Sequence, residues 1–213
     1  MENQFAKSLY ARRAGLYEAM IRVIGHERAL HAALRRGGLV REDSKVLDAG
    51  CGTGVLSFAA DDVAKKRGLK RVSLFGFDLT PTMLQRFRSR AATRGLEASF
   101  MNANVMDVPE CLPKDWKDFT LVVSSGMLEY LPKPSLPLAL RKLAALLAPD
   151  GRMLVFISRN GWFNRLFIGG YWRANLYGRE EILEAFEEAG CIVLNIRDHK
   201  SWGYMVEARS VLS

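Results

Sequence analysis

Three alternating glycines flanked by two acidic residues are the part of the chain whose residue types could do chemistry. Gly50, Gly52 and Gly54 follow a short apolar run in the stretch K-V-L-D-A-G-C-G-T-G, just after Asp48. Asp78 ends the next β-rich run. Glycine lets the backbone turn sharply and approach a ligand closely, because no Cβ stands in the way. The pattern therefore predicts a ligand-binding turn with a carboxylate on either side.

Two nucleotide-like ligands could use such a turn, and the acids distinguish between them. A dinucleotide site has G-x-G-x-x-G/A with an acid about 20 residues further on. Here Val55 takes the third position, and Asp78 comes 28 residues after Gly50. Asp48 would repel a pyrophosphate but attract the sulfonium and ammonium groups of S-adenosylmethionine, by roughly 4 kcal/mol before desolvation at about 4 Å. The sequence favours S-adenosylmethionine over NAD, and an acid without an evident partner disfavours a turn that binds nothing.

These residues resemble two motifs of a known enzyme family. V-L-D-A-G-C-G-T-G is similar to the first motif of the class I S-adenosylmethionine-dependent methyltransferases, and F-G-F-D-L-T-P-T-M-L (75–84) is similar to the second. The resemblance runs from about Ser44 to the C-terminus. It implies a single-domain, Rossmann-like α/β fold with a seven-stranded, mostly parallel sheet, helices on both faces, an antiparallel last strand and an N-terminal helical lid.

The resemblance also implies contacts to the cofactor at the carboxyl ends of the strands. Asp78 would accept both ribose hydroxyls, since a carboxylate can take two donors. The alternative is that it only caps the next helix, for which Thr80 is the better candidate. Aligned on Pro109, Asn104 stands where the family commonly has an Asp that contacts adenine, with Asp107 as the alternative. The predicted contacts are Asp48, Ala49, Gly50, Gly52, Gly54, Asp78, Leu79, Asn104, Val105 and Ser124.

Apolar runs and helix signals predict the elements that must position these residues. Besides 46–47, strands are predicted at 71–78, 98–101, 118–124, 152–158, 191–197 and 204–208, and helices at 55–66, 80–94, 138–147 and 179–189. Apolar residues at helical spacing over 3–37 predict a further helical segment. The resemblance makes residues 1–40 a cap, in which Tyr10 and Tyr17 could pack over the cofactor, and makes 41–213 the methyltransferase domain.

Composition and charge narrow the class of protein. A chain of 213 residues with 49% apolar and 25% charged residues fits one globular core. No apolar run reaches the 18 or so residues of a membrane span. Three separate cysteines and no signal-peptide pattern predict reduced thiols in the cytoplasm.

The histidines and the net charge bear on what the protein could bind. His26 and His31 lack metal-ligand spacing, so no metal is predicted. The net charge of +8 favours anionic partners, or else reflects a basic solvated surface.

Residues 159–179 are predicted to be a substrate-binding insertion, from their position in the resembling family. Between residues 160 and 178, six of 19 residues are aromatic, and residues 159–179 include four arginines and no acid. Such a segment suits a flat or acyl substrate bearing an anion, or docking on an acidic lipid surface. A packed helical hairpin with arginines in solvent is an equally good interpretation.

The leading functional prediction is methyl transfer to a small-molecule or lipid-precursor acceptor. The sequence specifies neither the atom that accepts the methyl group nor the oligomeric state of the protein. The alternatives are an inactive binding or scaffold protein of this fold, an RNA methyltransferase, or, more distantly, an NAD-dependent oxidoreductase. S-S-G-M after the fourth strand replaces the Asn/Asp-Pro-Pro-Tyr/Phe typical of enzymes that methylate base amines, which disfavours that class. No catalytic base is assigned; Glu129, Tyr130, Tyr171 and His199 are candidates that are more often structural.

Overall fold

The computed structural model describes residues 26–36, 38–161, 164, 174–199 and 202–211. The chain forms two compact units, which divide between Asn104 and Val105. The first unit contains α1 (His26–Arg36), β1 (Lys45–Ala49), α2 (Val55–Arg67), β2 (Ser73–Asp78), α3 (Pro81–Arg94) and β3 (Ser99–Asn102). The second contains β4 (Phe119–Ser125), α4 (Leu136–Ala144), β5 (Leu147–Ser158), α5 (Arg179–Glu188), β6 (Cys191–His199) and β7 (Gly203–Ser210), besides three short 3-10 turns.

The seven strands form one mixed sheet in the order β3-β2-β1-β4-β5-β7-β6. In the first unit β1, β2 and β3 run parallel, so that Asp48 lies opposite Gly76 and Asp78 opposite Asn102. In the second unit β4 and β5 run parallel, and β7 lies antiparallel between β5 and β6. The predicted Rossmann-like fold, with a last strand that inserts antiparallel as a hairpin with its predecessor, is confirmed.

Apolar residues at helical spacing explain α1, and glycines explain where α2 and α3 end. Leu30 and Leu34, one turn apart on α1, are buried where α1 packs on α2. Gly68 and Gly95 end α2 and α3 in the left-handed conformation that glycine tolerates best. Most strand and helix bounds agree with the sequence prediction to within two residues.

The boundary between α4 and β5 is the exception. The predicted helix 138–147 ends at Ala144, and β5 begins at Leu147 instead of Arg152. Pro149, Asp150 and Gly151 are therefore part of a strand, although they have the composition of a turn. A Cβ at Gly151 would lie 2.6 Å from the carbonyl oxygen of Phe119, so this glycine permits a close backbone approach to β4. The register of the two strands shifts at the same place, between Phe119 and Leu121.

Part of the predicted N-terminal cap lies outside the described residues. Residues 1–25, with Tyr10 and Tyr17, are not among them, whereas α1 supplies the described portion of residues 1–40. The assignment of these residues to a cap over the cofactor stays a prediction, as does the division into a cap and a domain from residue 41. Within the part of the chain that the structure describes, no helix has the length and apolar character to cross a membrane.

Replacing Gly54 with Ala is expected to destabilise the protein more than the same change at Gly68. Both residues have positive φ, so Ala at either costs about 1–2 kcal/mol of left-handed strain. A Cβ at Gly54 would also lie 2.2 Å from the Phe87 ring, whereas one at Gly68 would have nothing within 4 Å. Overpacking adds about 1–3 kcal/mol at Gly54 only. Urea unfolding of both variants measures the difference, and equal losses would contradict the packing argument.

Candidate functional site

Asp48 connects the end of β1 to the first turn of α2. Its Oδ2 accepts hydrogen bonds from the backbone N–H of Ser57 at 3.0 Å and from the Ser57 hydroxyl at 2.7 Å. Ser57 is the third residue of α2, and Gly54, at the N-cap, has no side chain with which to cap it. Asp48 therefore supplies, from a neighbouring strand, the acceptor that an N-cap side chain would otherwise provide. The sequence-based view of Asp48 as an acid without a partner was wrong.

The environment of Asp48 opposes its negative charge. The residue is only 2% exposed. Burial raises the pKa of its carboxyl group to about 7, the Ser57 hydrogen bonds act in the opposite direction, and the charge of Asp78 raises the pKa further. A nearby cation would relieve both the loss of hydration and the repulsion between the acids. The pair is therefore electrostatically suited to a positively charged ligand.

The glycine turn uses its own amides to hold its shape. The N–H groups of Gly50 and Cys51 both donate to the Phe77 carbonyl oxygen, at 2.9 and 3.0 Å, and that of Gly54 donates to the Cys51 carbonyl at 2.8 Å. The Gly52 N–H donates to Asp78 Oδ2 at 2.9 Å. A pyrophosphate-binding turn presents such amides to the ligand instead. This geometry disfavours the dinucleotide alternative for the turn.

Asp78 lies at the end of β2 and is held by two backbone donors. Its Oδ1 accepts from the Thr80 N–H at 2.8 Å while Oδ2 accepts from Gly52. Burial raises the pKa of the carboxyl group, whereas hydrogen bonding to the Thr80 and Gly52 N–H groups and to the Thr80 side chain lowers it. A carboxylate has about four lone-pair positions, so each oxygen keeps one for a further donor. Two vicinal hydroxyl groups would match this fixed, partly exposed pair of oxygens. Thr80 occupies the N-cap position of α3, but its side chain makes no capping hydrogen bond.

The end of β3 and the residue after it are hydrogen-bonded to the end of β2. The Asn102 side-chain amide and the Ala103 N–H both donate to the Asp78 carbonyl oxygen, at 2.7 and 3.2 Å. Asn104 follows directly and belongs to the first unit, whereas Asp107 is exposed on a 3-10 turn of the second. Asn104 is thus two residues after Asn102, whose side chain is hydrogen-bonded to the Asp78 carbonyl oxygen. Its contact with adenine stays a prediction.

The remaining predicted contacts are distributed between the two units. Ala49 ends β1 and is buried, and Leu79 is partly exposed between Asp78 and Thr80. Val105 and Ser124 belong to the second unit and are 4% and 1% exposed. The structure therefore joins the glycines to the end of β2 and to Asp78 through hydrogen bonds, and it places Asp48 within electrostatic reach of Asp78. The roles of Val105 and Ser124 as cofactor contacts stay predictions.

Of the three candidate bases that the structure describes, Glu129 has the most unusual surroundings. It is 3% exposed, and its Oε1 accepts from the Ser158 N–H at 2.9 Å and the Ser158 hydroxyl at 3.0 Å. Burial raises the pKa of this carboxyl group. Tyr130 is half-buried on the same 3-10 turn, and His199 ends β6. Tyr171 lies outside the described residues.

Sequence reasoning missed the two serines that hold these buried acids. Ser57 lies nine residues after Asp48, and Ser158 lies 29 residues after Glu129. The spacing of Ser57 offered a signal, since it is the third position of a helix whose N-cap is a glycine. The pairing of Ser158 with Glu129 depends on strand packing and has no local signal.

Comparisons with known proteins agree with the geometry. A family model described as a methyltransferase domain matches residues 46–151. The fold is similar to that of magnesium protoporphyrin IX methyltransferase from Synechocystis PCC 6803 with bound SAM, with 17% identity, 99% of this chain and 98% of that chain covered, and a TM-score of 0.71. It is also similar to the mitomycin 7-O-methyltransferase MmcR, with 17% identity, 97% and 60% coverage and a TM-score of 0.75. A search of curated proteins found no match.

A third similar structure is an S-adenosylmethionine-dependent methyltransferase from Clostridium acetobutylicum. It is 13% identical, the alignment covers 94% of this chain and 98% of that chain, and the TM-score is 0.72. At these identities the structural likeness shows the fold.

Titration of Asp48 is expected to make the protein less stable as pH rises. Its pKa is about 7 in the folded state, against an ordinary value of 3.8, so the folded state binds more protons between these values. Stability is therefore lost progressively from about pH 4 and levels off above about pH 7, by about 1.4 kcal/mol for each unit separating the two pKa values. Urea unfolding at a series of pH values measures this loss.

Two variants separate Asp48 from other titrating groups. Asp48→Asn keeps an acceptor for Ser57 but cannot ionise, so its stability relative to wild type should grow from pH 4 to pH 8. Ser57→Ala removes a hydrogen bond that favours the charged carboxylate, so the transition should move to higher pH. Parallel pH profiles for wild type and Asp48→Asn would contradict the assignment.

Proposed function

Since the chain belongs to the class I S-adenosylmethionine-dependent methyltransferase family, we propose that it methylates a small molecule or a lipid precursor. S-adenosylmethionine is the methyl donor. The observation that carries the proposal is the pairing of two acids, Asp48 and Asp78, around a turn whose amides are already hydrogen-bonded to the protein. Such a site suits a cationic nucleoside better than a phosphate-bearing one.

Each acid has a separate role in this proposal. Asp78 accepts the two ribose hydroxyl groups, because the Gly52 and Thr80 amides fix the orientation of its carboxylate and leave lone pairs on both oxygens. Asp48 contributes negative charge to the region that holds the charged methionine portion of the cofactor. Because Asp48 titrates near neutral pH, the bound cation would lower its pKa and release a proton.

S-adenosylmethionine supplies an electrophilic methyl group on a good leaving group. The protein then has to place the acceptor atom in line with that methyl group and exclude water. A general base is needed only where the acceptor atom carries a proton that it does not lose readily. Glu129 is the described candidate best isolated from solvent, and its burial raises the pKa of the carboxyl group, which makes its carboxylate a stronger base than an exposed one.

The names of similar structures support a small-molecule acceptor. Two of the similar structures are of enzymes named as methyltransferases of magnesium protoporphyrin IX and of mitomycin. An anionic acceptor, contact with an acidic lipid surface and a role for residues 159–179 in substrate binding stay predictions. Cytoplasmic location likewise stays a prediction, and no contact among the described residues favours the RNA or the scaffold alternative.

Asp78→Asn is expected to weaken binding of both S-adenosylmethionine and S-adenosylhomocysteine by about 10- to 100-fold. Hydrogen bonds to a charged group contribute about 1.5–3 kcal/mol, and the ribose is common to both nucleosides. Isothermal titration calorimetry measures both affinities. The control is Asp43→Asn, which changes an exposed acid of the same unit that pairs with Arg71.

A second comparison tests the separate role of Asp48. Asp48→Asn should weaken binding of S-adenosylmethionine more than binding of S-adenosylhomocysteine, because only the former carries a positive sulfur.

For the Asp78→Asn variant, unchanged affinity for both nucleosides would contradict the ribose assignment.

A further inference from the structure

Two buried oxygen atoms in the second unit lack hydrogen-bond partners among the residues that the structure describes. They are Oε2 of Glu129 and the hydroxyl oxygen of Tyr177. The two residues are 3% and 2% exposed. Buried polar atoms are almost always paired, because an unpaired one has lost its hydrogen bonds to water without replacement. Two such atoms on neighbouring residues therefore call for a common explanation.

Ser158 links the two residues directly. Its N–H and hydroxyl groups donate to Glu129 Oε1, at 2.9 and 3.0 Å, and its carbonyl oxygen accepts from the Tyr177 N–H at 3.1 Å. The Asn175 N–H also donates to the Glu129 carbonyl oxygen at 2.8 Å. Burial raises the pKa of the Tyr177 hydroxyl, and the negative charge of Glu129 raises it further, which places the two side chains within electrostatic reach.

The position of Tyr177 is fixed from the other side. The Lys133 ammonium lies 4.9 Å from the centre of the Tyr177 ring and forms an ion pair with Glu181 at 2.8 Å. Glu181 in turn accepts from the Gly178 N–H at 2.6 Å. A cation over an aromatic face and an ion pair at the start of α5 restrain the ring. The Tyr177 hydroxyl is therefore held in the interior by contacts that do not involve the hydroxyl itself.

The cluster lies where ligands bind in parallel sheets. Ser158 is the last residue of β5, and Glu129 belongs to the 3-10 turn that follows β4. In open α/β sheets the carboxyl ends of the strands carry the binding site. The location of the cluster therefore favours a ligand-binding role over a purely internal contact.

The donors and acceptors of the cluster limit the chemistry of that ligand. Oε1 of Glu129 is used by Ser158, which leaves Oε2 as an acceptor when the carboxyl is ionised and as a donor when it is protonated. Tyr177 remains neutral and donates. A hydroxyl group satisfies both partners in either state, since it donates once and accepts twice. An ammonium has no acceptor for the Tyr177 proton, and a carboxylate has no donor for an ionised Glu129.

We propose that Glu129 and Tyr177 bind one hydroxyl oxygen, which belongs to the methyl acceptor when it is present and to a water molecule when it is not. This inference rests on the proposed methyltransferase function. It deepens that function by assigning a hydroxyl-bearing class of acceptor and two residues that position it.

Crystal structures of the full chain test the site with phenol as the hydroxyl probe and toluene as its match without a hydroxyl. Without a probe, an ordered water should lie about 2.6–3.2 Å from both Glu129 Oε2 and the Tyr177 hydroxyl oxygen. Phenol should place its oxygen at that position, and toluene should leave the water there. A direct hydrogen bond between the two side chains, a site with no oxygen, or a water that phenol never displaces would each overturn the proposal.

Calorimetry with Tyr177→Phe supplies the second test. Removal of the hydroxyl should weaken phenol binding at least tenfold, whereas Tyr204→Phe, the same change at a buried tyrosine of β7, should leave it unchanged. Tyr177→Phe should fold normally, since the hydroxyl makes no hydrogen bond among the described residues. If it does not fold, Glu129→Gln replaces it in the same measurement. This change turns Oε2 into an amide nitrogen that only donates, so the affinity for phenol should change. Equal phenol affinity in wild type and the variant would overturn the inference.

S-adenosylmethionine binding distinguishes failure of this inference from failure of the proposed function. Tyr177→Phe should bind the cofactor like the wild-type protein. Wild-type protein that binds no S-adenosylmethionine would refute the proposed function itself. Normal cofactor binding together with a hydroxyl site that takes no oxygen would refute only the inference drawn here.

Discussion

The hydrogen bond from the Gly52 N–H to Asp78 Oδ2 is the contact on which the first unit's site depends. It joins the glycine turn after β1 to the end of β2, across 26 residues of sequence. The Phe77 carbonyl completes the link by accepting from both Gly50 and Cys51. Because these contacts use the turn's amides, the turn cannot also present them to a phosphate. The same contacts orient the Asp78 carboxylate and leave its remaining lone pairs available.

Charge is the second constraint, and it follows from the first. The turn holds Asp48 and Asp78 near enough for the charge of one to raise the pKa of the other, in surroundings that hydrate Asp48 poorly. The Ser57 hydrogen bonds offset part of this cost while they cap α2. The rest can be offset by protonation or by a bound cation. The pKa of about 7 for the Asp48 carboxyl group is thus the net result of burial and of repulsion from Asp78, which the Ser57 hydrogen bonds offset only in part.

Local signals made most of this architecture predictable. The alternation of glycines, the acid at each strand end and the helix stops at Gly68 and Gly95 act over a few residues, so the sequence shows them directly. Long-range contacts are not visible in this way. Gly151 has the composition of a turn, and only the Phe119 carbonyl opposite explains its place in β5. Glu129 and Tyr177 are 48 residues apart, and nothing local predicts that Ser158 bonds to both.

The most direct test of the account is a crystal structure of the protein soaked with S-adenosylhomocysteine, alongside a second crystal soaked with NAD. The account predicts that both ribose hydroxyl groups of the first compound lie within hydrogen-bond distance of the Asp78 carboxylate, and that the second crystal shows no ligand at the turn. A pyrophosphate bound to the amides of Gly50 and Gly52, with S-adenosylhomocysteine absent from its crystal, would contradict it.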